Sequence, residues 1–335
     1  SSDSQCKISI VNIYLGKVKK MRYIEMFKDG DRISDVYLCK SKTTALTKAG
    51  REYENVLLQD KTGVIDSKIW DPMSGGIGDF SAMDYVAVTG QISSYNGSLQ
   101  LKIDRIRVAN ENEYVPSDYV PCSRYDINDM YEELMGYVKS VKNKYISQLL
   151  TKFFVEDTAF IKKFKNISAA KTVHHGFVGG LLEHSLSVTR MCGHMADNYD
   201  FLNRDLLIAC AMLHDAGKVK ELSEFPKNDY TDEGNYIGHI VIGYEMVMEK
   251  IKEIEDFPTE LASQIGHCIL SHHGELEYGS PKKPSIAEAL ALSMADNMDA
   301  KMETLKELLS TPQAQTGEWL GFQKMLDTNV RKTLV

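Results

Sequence analysis

The chain has 335 residues, 43% hydrophobic and 26% charged, with a formal net charge of −8. That length accommodates two domains with separate cores, and the balance excludes a disordered chain and a general nucleic-acid coating protein. No apolar run approaches the ~20 residues of a membrane span, and the polar start lacks a signal-peptide pattern, so a cytoplasmic location without a membrane partner is expected.

After an irregular start the first 110 residues read as short strands. Runs at 13–20, 34–40 and 53–60 alternate apolar and polar residues. A turn at Lys61-Thr62-Gly63 leads to 64–70, and 85–92 pairs with 99–104 across Asn96-Gly97, a strong hairpin signal. About five such runs predict a small β-barrel over residues 1–110, an OB-fold. Residues 1–120 hold 16 Lys/Arg against 16 Asp/Glu, so phosphate backbones would be bound by local basic clusters. Candidates are Lys17, Lys19, Lys20, Arg22 and Lys40, with Tyr37, Trp70 and Tyr95 for base stacking. Any one of these alone reads more readily as barrel core or solvated edge.

Pro116 and Pro121 mark a linker over 111–125. Helices dominate 126–315, the core of that domain lying at 170–305, and 316–335 reads as a tail. Met130, Leu134, Val138 and Val141 fall on one helical face. The apolar run 206–213 reads as a buried helix that ends on His214-Asp215, with Gly217 as its stop. An imidazole and a carboxylate closing a buried helix are costly unless paired or bound to metal. His184, on 181–186, and Asp296, on 291–296, stand on two further apolar helical runs. A lone residue of either kind is more often a satisfied core group, but four in this order point to one metal. Asp299 follows Asp296 on the same face and is expected to support a ligand. His175, nine residues before His184, reads equally as a helix cap or as a contact to a substrate phosphate. Ser285 and Glu288 form a capping-box pattern ahead of Asp296. The scattered cysteines read as free buried thiols.

The set His184, His214-Asp215 and Asp296, with the run 214–218, resembles the HD superfamily of metal-dependent phosphohydrolases. The runs 174–185 and 271–280 extend that resemblance, over roughly residues 7–315, to the YhaM family of bacterial 3′→5′ exoribonucleases, in which an OB domain precedes an HD domain. The resemblance implies an N-terminal OB barrel followed by an all-α HD helical bundle. It implies two divalent ions: one on His184, His214, Asp215 and Asp296, the other on Asp215, His239 and His272 or His273. The 3′→5′ direction and a preference for manganese rest on it alone. Mixed imidazole and carboxylate ligands suit Mn, Fe, Co, Ni or Zn better than Mg. Asp215 and Lys218 are the expected catalytic pair, Lys218 stabilising a phosphate oxygen or acting as acid, or else merely a solvated charge at a helix end.

The function expected is metal-dependent 3′→5′ exonucleolysis of single-stranded RNA, with single-stranded DNA as an open second substrate. Two other readings compete. One is an HD phosphodiesterase for a nucleotide or cyclic dinucleotide; the other is a non-catalytic single-strand-binding protein. A homo-oligomer is compatible with all three.

Overall fold

A computed structural model describes residues 21–95, 97–170 and 176–333. The described chain divides into two compact units, one ending at Pro121 and taking in Phe225–Lys227, the other made of Cys122–Glu224 and the residues from Asn228 on.

The first unit is a closed barrel of β1 (Arg32–Leu46), β2 (Glu52–Asp60), β3 (Gly63–Ile69), β4 (Tyr85–Tyr95) and β5 (Ser98–Val108), ordered β1-β2-β3-β5-β4. β3 and β5 run parallel and the other pairs antiparallel, the arrangement of an OB-fold. Closure leaves no unpaired edge among these strands. Tyr95 pairs with Ser98 across a tight turn in which Gly97 has φ +81°. Gly90 marks a close crossing, because a Cβ there would lie 2.2 Å from the Lys102 carbonyl oxygen. Val56, Leu58, Ile92 and Leu101 fill the interior.

The predicted linker belongs in part to this barrel. Tyr114 stacks on Tyr85 at 3.9 Å between ring centroids, and Tyr119 meets Tyr85 edge-on at 5.2 Å. Tyr119 and Val120 are buried. Their apolar area outweighs the turn signal of the two prolines.

The second unit is helical: α1 (Ile127–Ser140), α2 (Lys144–Thr151), α3 (Thr158–Asn166), α4 (Gly180–Asn198), α5 (Arg204–Leu213), α6 (Lys218–Glu221), α7 (Asp232–Tyr236), α8 (His239–Lys252), α9 (Thr259–Ser271), α10 (Ala287–Leu309) and α11 (Pro312–Gln315). Asp126, Asn143, Asp157 and Asn203 cap α1, α2, α3 and α5 with side-chain oxygens that accept first-turn N–H groups. α5 is apolar on every side, and every residue from Leu206 to Leu213 is buried. Such a helix belongs at the centre, and α4, α9 and α10 surround it. Cys192, Cys210 and Cys268 are free thiols in this core.

Three local readings are corrected here. Gly217 has φ −63° and continues helical backbone. Its missing Cβ matters instead, since one would lie 2.0 Å from the His239 carbonyl oxygen. Ser285 and Glu288 form no capping box, for Ile286 is the N-cap of α10 and lacks a side-chain cap bond. Ser285 bonds His267 Nε2, and Glu288 accepts the Asn203 N–H across the bundle. Residues 316–335 are not simply a tail: β6 (Trp319–Gln323) and β7 (Thr328–Arg331) pair as a hairpin. Among the described residues no helix is long and apolar enough to cross a membrane.

Candidate metal centre

Five helices deliver the site. α4 carries His184 one turn from its start, and α5 ends at Leu213, so His214 and Asp215 project from its C-terminal end. α8 begins on His239, α9 gives way to His272 and His273, and α10 holds Asp296 and Asp299. Gly274, with φ +80°, turns the chain away just beyond the histidine pair.

His184 Nε2 lies 3.2 Å from His214 Nε2, 3.3 Å from Asp215 Oδ2 and 3.2 Å from Asp296 Oδ1. His214 Nε2 stands 3.5 Å from Asp215 Oδ2. Ligands at ~2.1 Å from one ion are separated by about 3.0–3.4 Å at octahedral to tetrahedral angles, and the contacts of His184 fall in that range while His214 stands slightly farther, 3.8 Å from Asp296 Oδ1. Asp215 Oδ1 faces a second group, 3.4 Å from His239 Nε2 and 3.7 Å from His272 Nε2. One ligand atom each from His239, His272 and His273 falls within 4.8 Å of the others.

The Nδ1 atoms are all engaged elsewhere. That of His184 meets Asp299 Oδ2 at 2.7 Å, that of His214 the Ala211 carbonyl at 2.8 Å, and that of His239 Glu221 Oε1 at 2.9 Å. Those of His272 and His273 meet the carbonyls of Ile269 and Tyr278 at 2.7 and 2.8 Å. With Nδ1 donating, each ring in its neutral form presents Nε2 as the bare acceptor, the tautomer a metal requires. Asp215 Oδ1 and Nε2 of His239 and His272 are buried without a hydrogen-bond partner among the described residues. Lys218 Nζ lies 2.7 Å from Asp215 Oδ2 as an ammonium–carboxylate pair, which leaves Asp215 Oδ1 and the two imidazole nitrogens without a donor. Buried acceptors facing one another without donors are costly, and a cation between them removes the cost. The donor set therefore fits divalent metal.

The electrostatics agree. Burial lowers the pKa of His184, but the carboxylates of Asp215, Asp296 and Asp299 outweigh it and hold that pKa well above its usual value. Burial pushes His214 and His272 down. Burial would raise Asp215, yet Lys218 and the surrounding imidazoles hold it well below the usual carboxylate range. Positive charge is thus drawn to the point where three carboxylates converge.

Glu183, adjacent to His184, turns away and accepts from Ser123 Oγ at 2.5 Å. Glu221, which fixes His239 through both its ring and its backbone N–H, carried no sequence signal. Its partner lies 18 residues away across a polar stretch that reads as loop.

On the barrel, Trp70 is half exposed and stacks on Tyr53 at 5.0 Å between centroids, while Tyr95 and Lys40 are exposed. Tyr53 was not among the candidates, since alternation does not show that its ring covers Trp70. Arg22 is tied to Asp31 at 2.5 Å. Tyr37 is a correction: it is fully buried and donates its hydroxyl to the Arg22 carbonyl, so no base can reach its ring. Lys17, Lys19, Lys20 and His175 lie outside the described residues.

The HD domain family model matches residues 181–301. The 3′-5′ exoribonuclease YhaM of Bacillus velezensis is 39% identical over 282 residues, 83% of this chain and 88% of that protein. The 3′-5′ exoribonuclease YhaM of Bacillus subtilis is 37% identical over 289 residues, 85% of this chain and 90% of that protein. Among solved structures, the second OB-fold domain of replication protein A from Methanococcus maripaludis aligns at 19% identity and TM-score 0.21, over 27% of this chain and 95% of that one.

Proposed function

The chain belongs to the YhaM family of 3′-5′ exoribonucleases, and from that premise we propose how it works: the helical unit hydrolyses the terminal phosphodiester of single-stranded RNA at two divalent ions. His184, His214, Asp215 and Asp296 would hold one ion. Asp215 would also serve the second, with His239 and His272 or His273. The observation that carries this reading is the split environment of Asp215, each oxygen buried and facing its own group of imidazoles.

When bound, the ions supply Lewis acidity toward the scissile phosphate and its attacking water. The chain's own residues do the rest. Asp299, Glu221 and the carbonyls of Ala211 and Ile269 hold the imidazole rings in place. Lys218, whose ammonium burial would weaken but Asp215 keeps charged, lines the cleft beside His184 and Asp296. It stands where it can neutralise a non-bridging or leaving phosphate oxygen. The barrel retains the strand, with Trp70 and Tyr53 as a base platform and Lys40 and Tyr95 as exposed contacts. Manganese is the ion favoured; iron, cobalt, nickel and zinc suit the same donors.

The test incubates 5′-labelled single-stranded RNA with the protein and Mn²⁺, alongside an Asp215→Ala variant. Stepwise shortening by the parent and none by the variant is expected. Turnover confined to mononucleotides or cyclic dinucleotides would replace the nuclease reading.

A further inference from the structure

A cleft of about 1120 Å³ opens beside the metal centre, and His184, Lys218 and Asp296 are part of its wall. Apart from His273, the remainder of that wall has no part in the chemistry described above. Along α10, Ser293, Asn297 and Lys301 line the cleft at intervals of four residues, so they form one polar row advancing ~6 Å per step from the level of Asp296. A second row runs alongside it. Leu290, Met294, Met298 and Met302 also recur every fourth residue and are 49%, 56%, 52% and 54% exposed; of these, Leu290 and Met294 line the cleft. A row of apolar side chains left in solvent on a well-packed helix marks a binding surface. Methionine's flexible, polarizable thioether adapts to ligands of varied shape.

Further wall comes from the turn between β6 and β7. Lys324 and Met325 line the cleft, and Thr304 Oγ1 on α10 donates to Met325 Sδ at 3.3 Å, which holds the turn against the helix. Lys283 on the rim is already neutralised by Glu275 at 2.5 Å. Lys301 and Lys324 have no carboxylate partner among the described residues.

A polar and cationic row beside an apolar row matches a ligand that is itself a line of phosphates beside a line of flat apolar rings. We infer that this cleft seats the terminal nucleotides of the RNA strand, with Asn297, Lys301 and Lys324 holding the backbone and Met294 and Met325 holding the bases. The C-terminal hairpin is thereby part of the substrate site. Apolar contact with ring faces carries no base code, so the seat accepts any sequence, as stepwise degradation requires. This inference rests on the nuclease reading and adds to it the place where the strand end lies.

The experiment measures steady-state cleavage of a trinucleotide RNA by the full chain in saturating Mn²⁺, for Lys301→Glu, Lys324→Glu and Met325→Glu. Lys139→Glu, an exposed lysine on α1, serves as a charge-matched control. Each of the three should raise KM by about tenfold or more with kcat changed far less, while the control matches the parent. Lys324→Gln covers the case in which reversed charge unfolds the hairpin; it should keep the parent's circular dichroism and still raise KM by about threefold or more. KM values within about twofold of the parent in all four cleft variants would overturn the inference and leave the nuclease reading intact. A parent that leaves RNA uncut would remove both.

Discussion

Asp299 Oδ2 stands 2.7 Å from Nδ1 of His184, and that contact leaves Nε2 of the same ring as the acceptor facing Asp215 and Asp296. Asp299 also accepts from Ser187 Oγ, so its carboxylate is held at both oxygens. Replacing it with alanine frees the ring to turn and to change tautomer. Loss of such a support weakens metal affinity by about 10–100-fold. Titrating Mn²⁺ into the metal-free Asp299→Ala variant should show the activation midpoint moved upward by that factor, with kcat recovering at high metal. An unchanged midpoint would assign Asp299 to packing alone.

Chelation should act on stability as well as on activity. The cluster brings buried acceptors to within 3.2–3.8 Å of one another, and a cation that binds only the folded state stabilises it by mass action. At a hundredfold excess over Kd that amounts to about 2.7 kcal/mol, or several degrees in the melting of a unit this size. Calorimetry with and without EDTA should show the helical unit melting earlier, and added Mn²⁺ restoring both Tm and activity. Equal melting temperatures would be incompatible with tight metal binding at this cluster.

Gly217→Ala tests the close approach of the chain behind Asp215. The new methyl would meet the His239 carbonyl oxygen at 2.0 Å and the Gly243 nitrogen at 2.6 Å, and backbone cannot swing aside as a side chain can. Urea unfolding should place the variant at least about 3 kcal/mol below the parent, and any folded fraction should lose activity because His239 is displaced. A variant as stable as the parent would show that α8 shifts freely.

On the barrel, Trp70→Ala and Tyr37→Ala should differ in kind. Trp70 is half exposed on a stacked pair, whereas Tyr37 is core. Losing one base platform costs about 1–3 kcal/mol of strand binding, so Trp70→Ala should raise KM for long RNA, spare a trinucleotide and leave stability unchanged. Tyr37→Ala should cost about 3–5 kcal/mol of barrel stability. Fluorescence anisotropy with labelled RNA, together with thermal melts, separates the two.

Asp157 gives a pH-dependent contribution. Burial would raise its pKa, but the Lys250 ammonium at 2.8 Å and the Phe160 N–H outweigh this and hold it below the ordinary 3.8. A depressed folded-state pKa stabilises at pH values above the unfolded pKa, and the contribution disappears as pH falls through the folded one. Asp157→Asn keeps the cap and loses the ion pair, so it should be about 0.5–1 kcal/mol less stable at neutral pH. The two proteins should converge as pH drops below 3.8. A gap that persists in acid would point to the cap instead.

The amino-acid order alone determined the features that repeat at short range. The apolar run of α5 ending on His214-Asp215, the stripe Met130–Leu134–Val138 and the turn around Gly97 could be read directly, because helix periodicity, strand alternation and turn preference act within a few residues. That His184, His214, Asp215 and Asp296 would meet was also readable, since an ionisable group on an apolar helix needs a partner wherever it folds.

What only the tertiary structure decided were the relations between distant segments. Glu183 is as acidic as Asp296 and sits beside His184, yet it turns toward Ser123. Glu221 reaches His239 across a loop, and Gly217 is required by a neighbouring helix, not by a helix end. In β1 a bulge between Cys39 and Ser41 interrupts the alternation that would have told Tyr37's face, and Tyr37, Leu38 and Cys39 are buried in succession. The C-terminal hairpin likewise gains its place in the cleft only through α10. A side chain's surroundings depend on which elements pack against it, and that is fixed by the shape of the whole core.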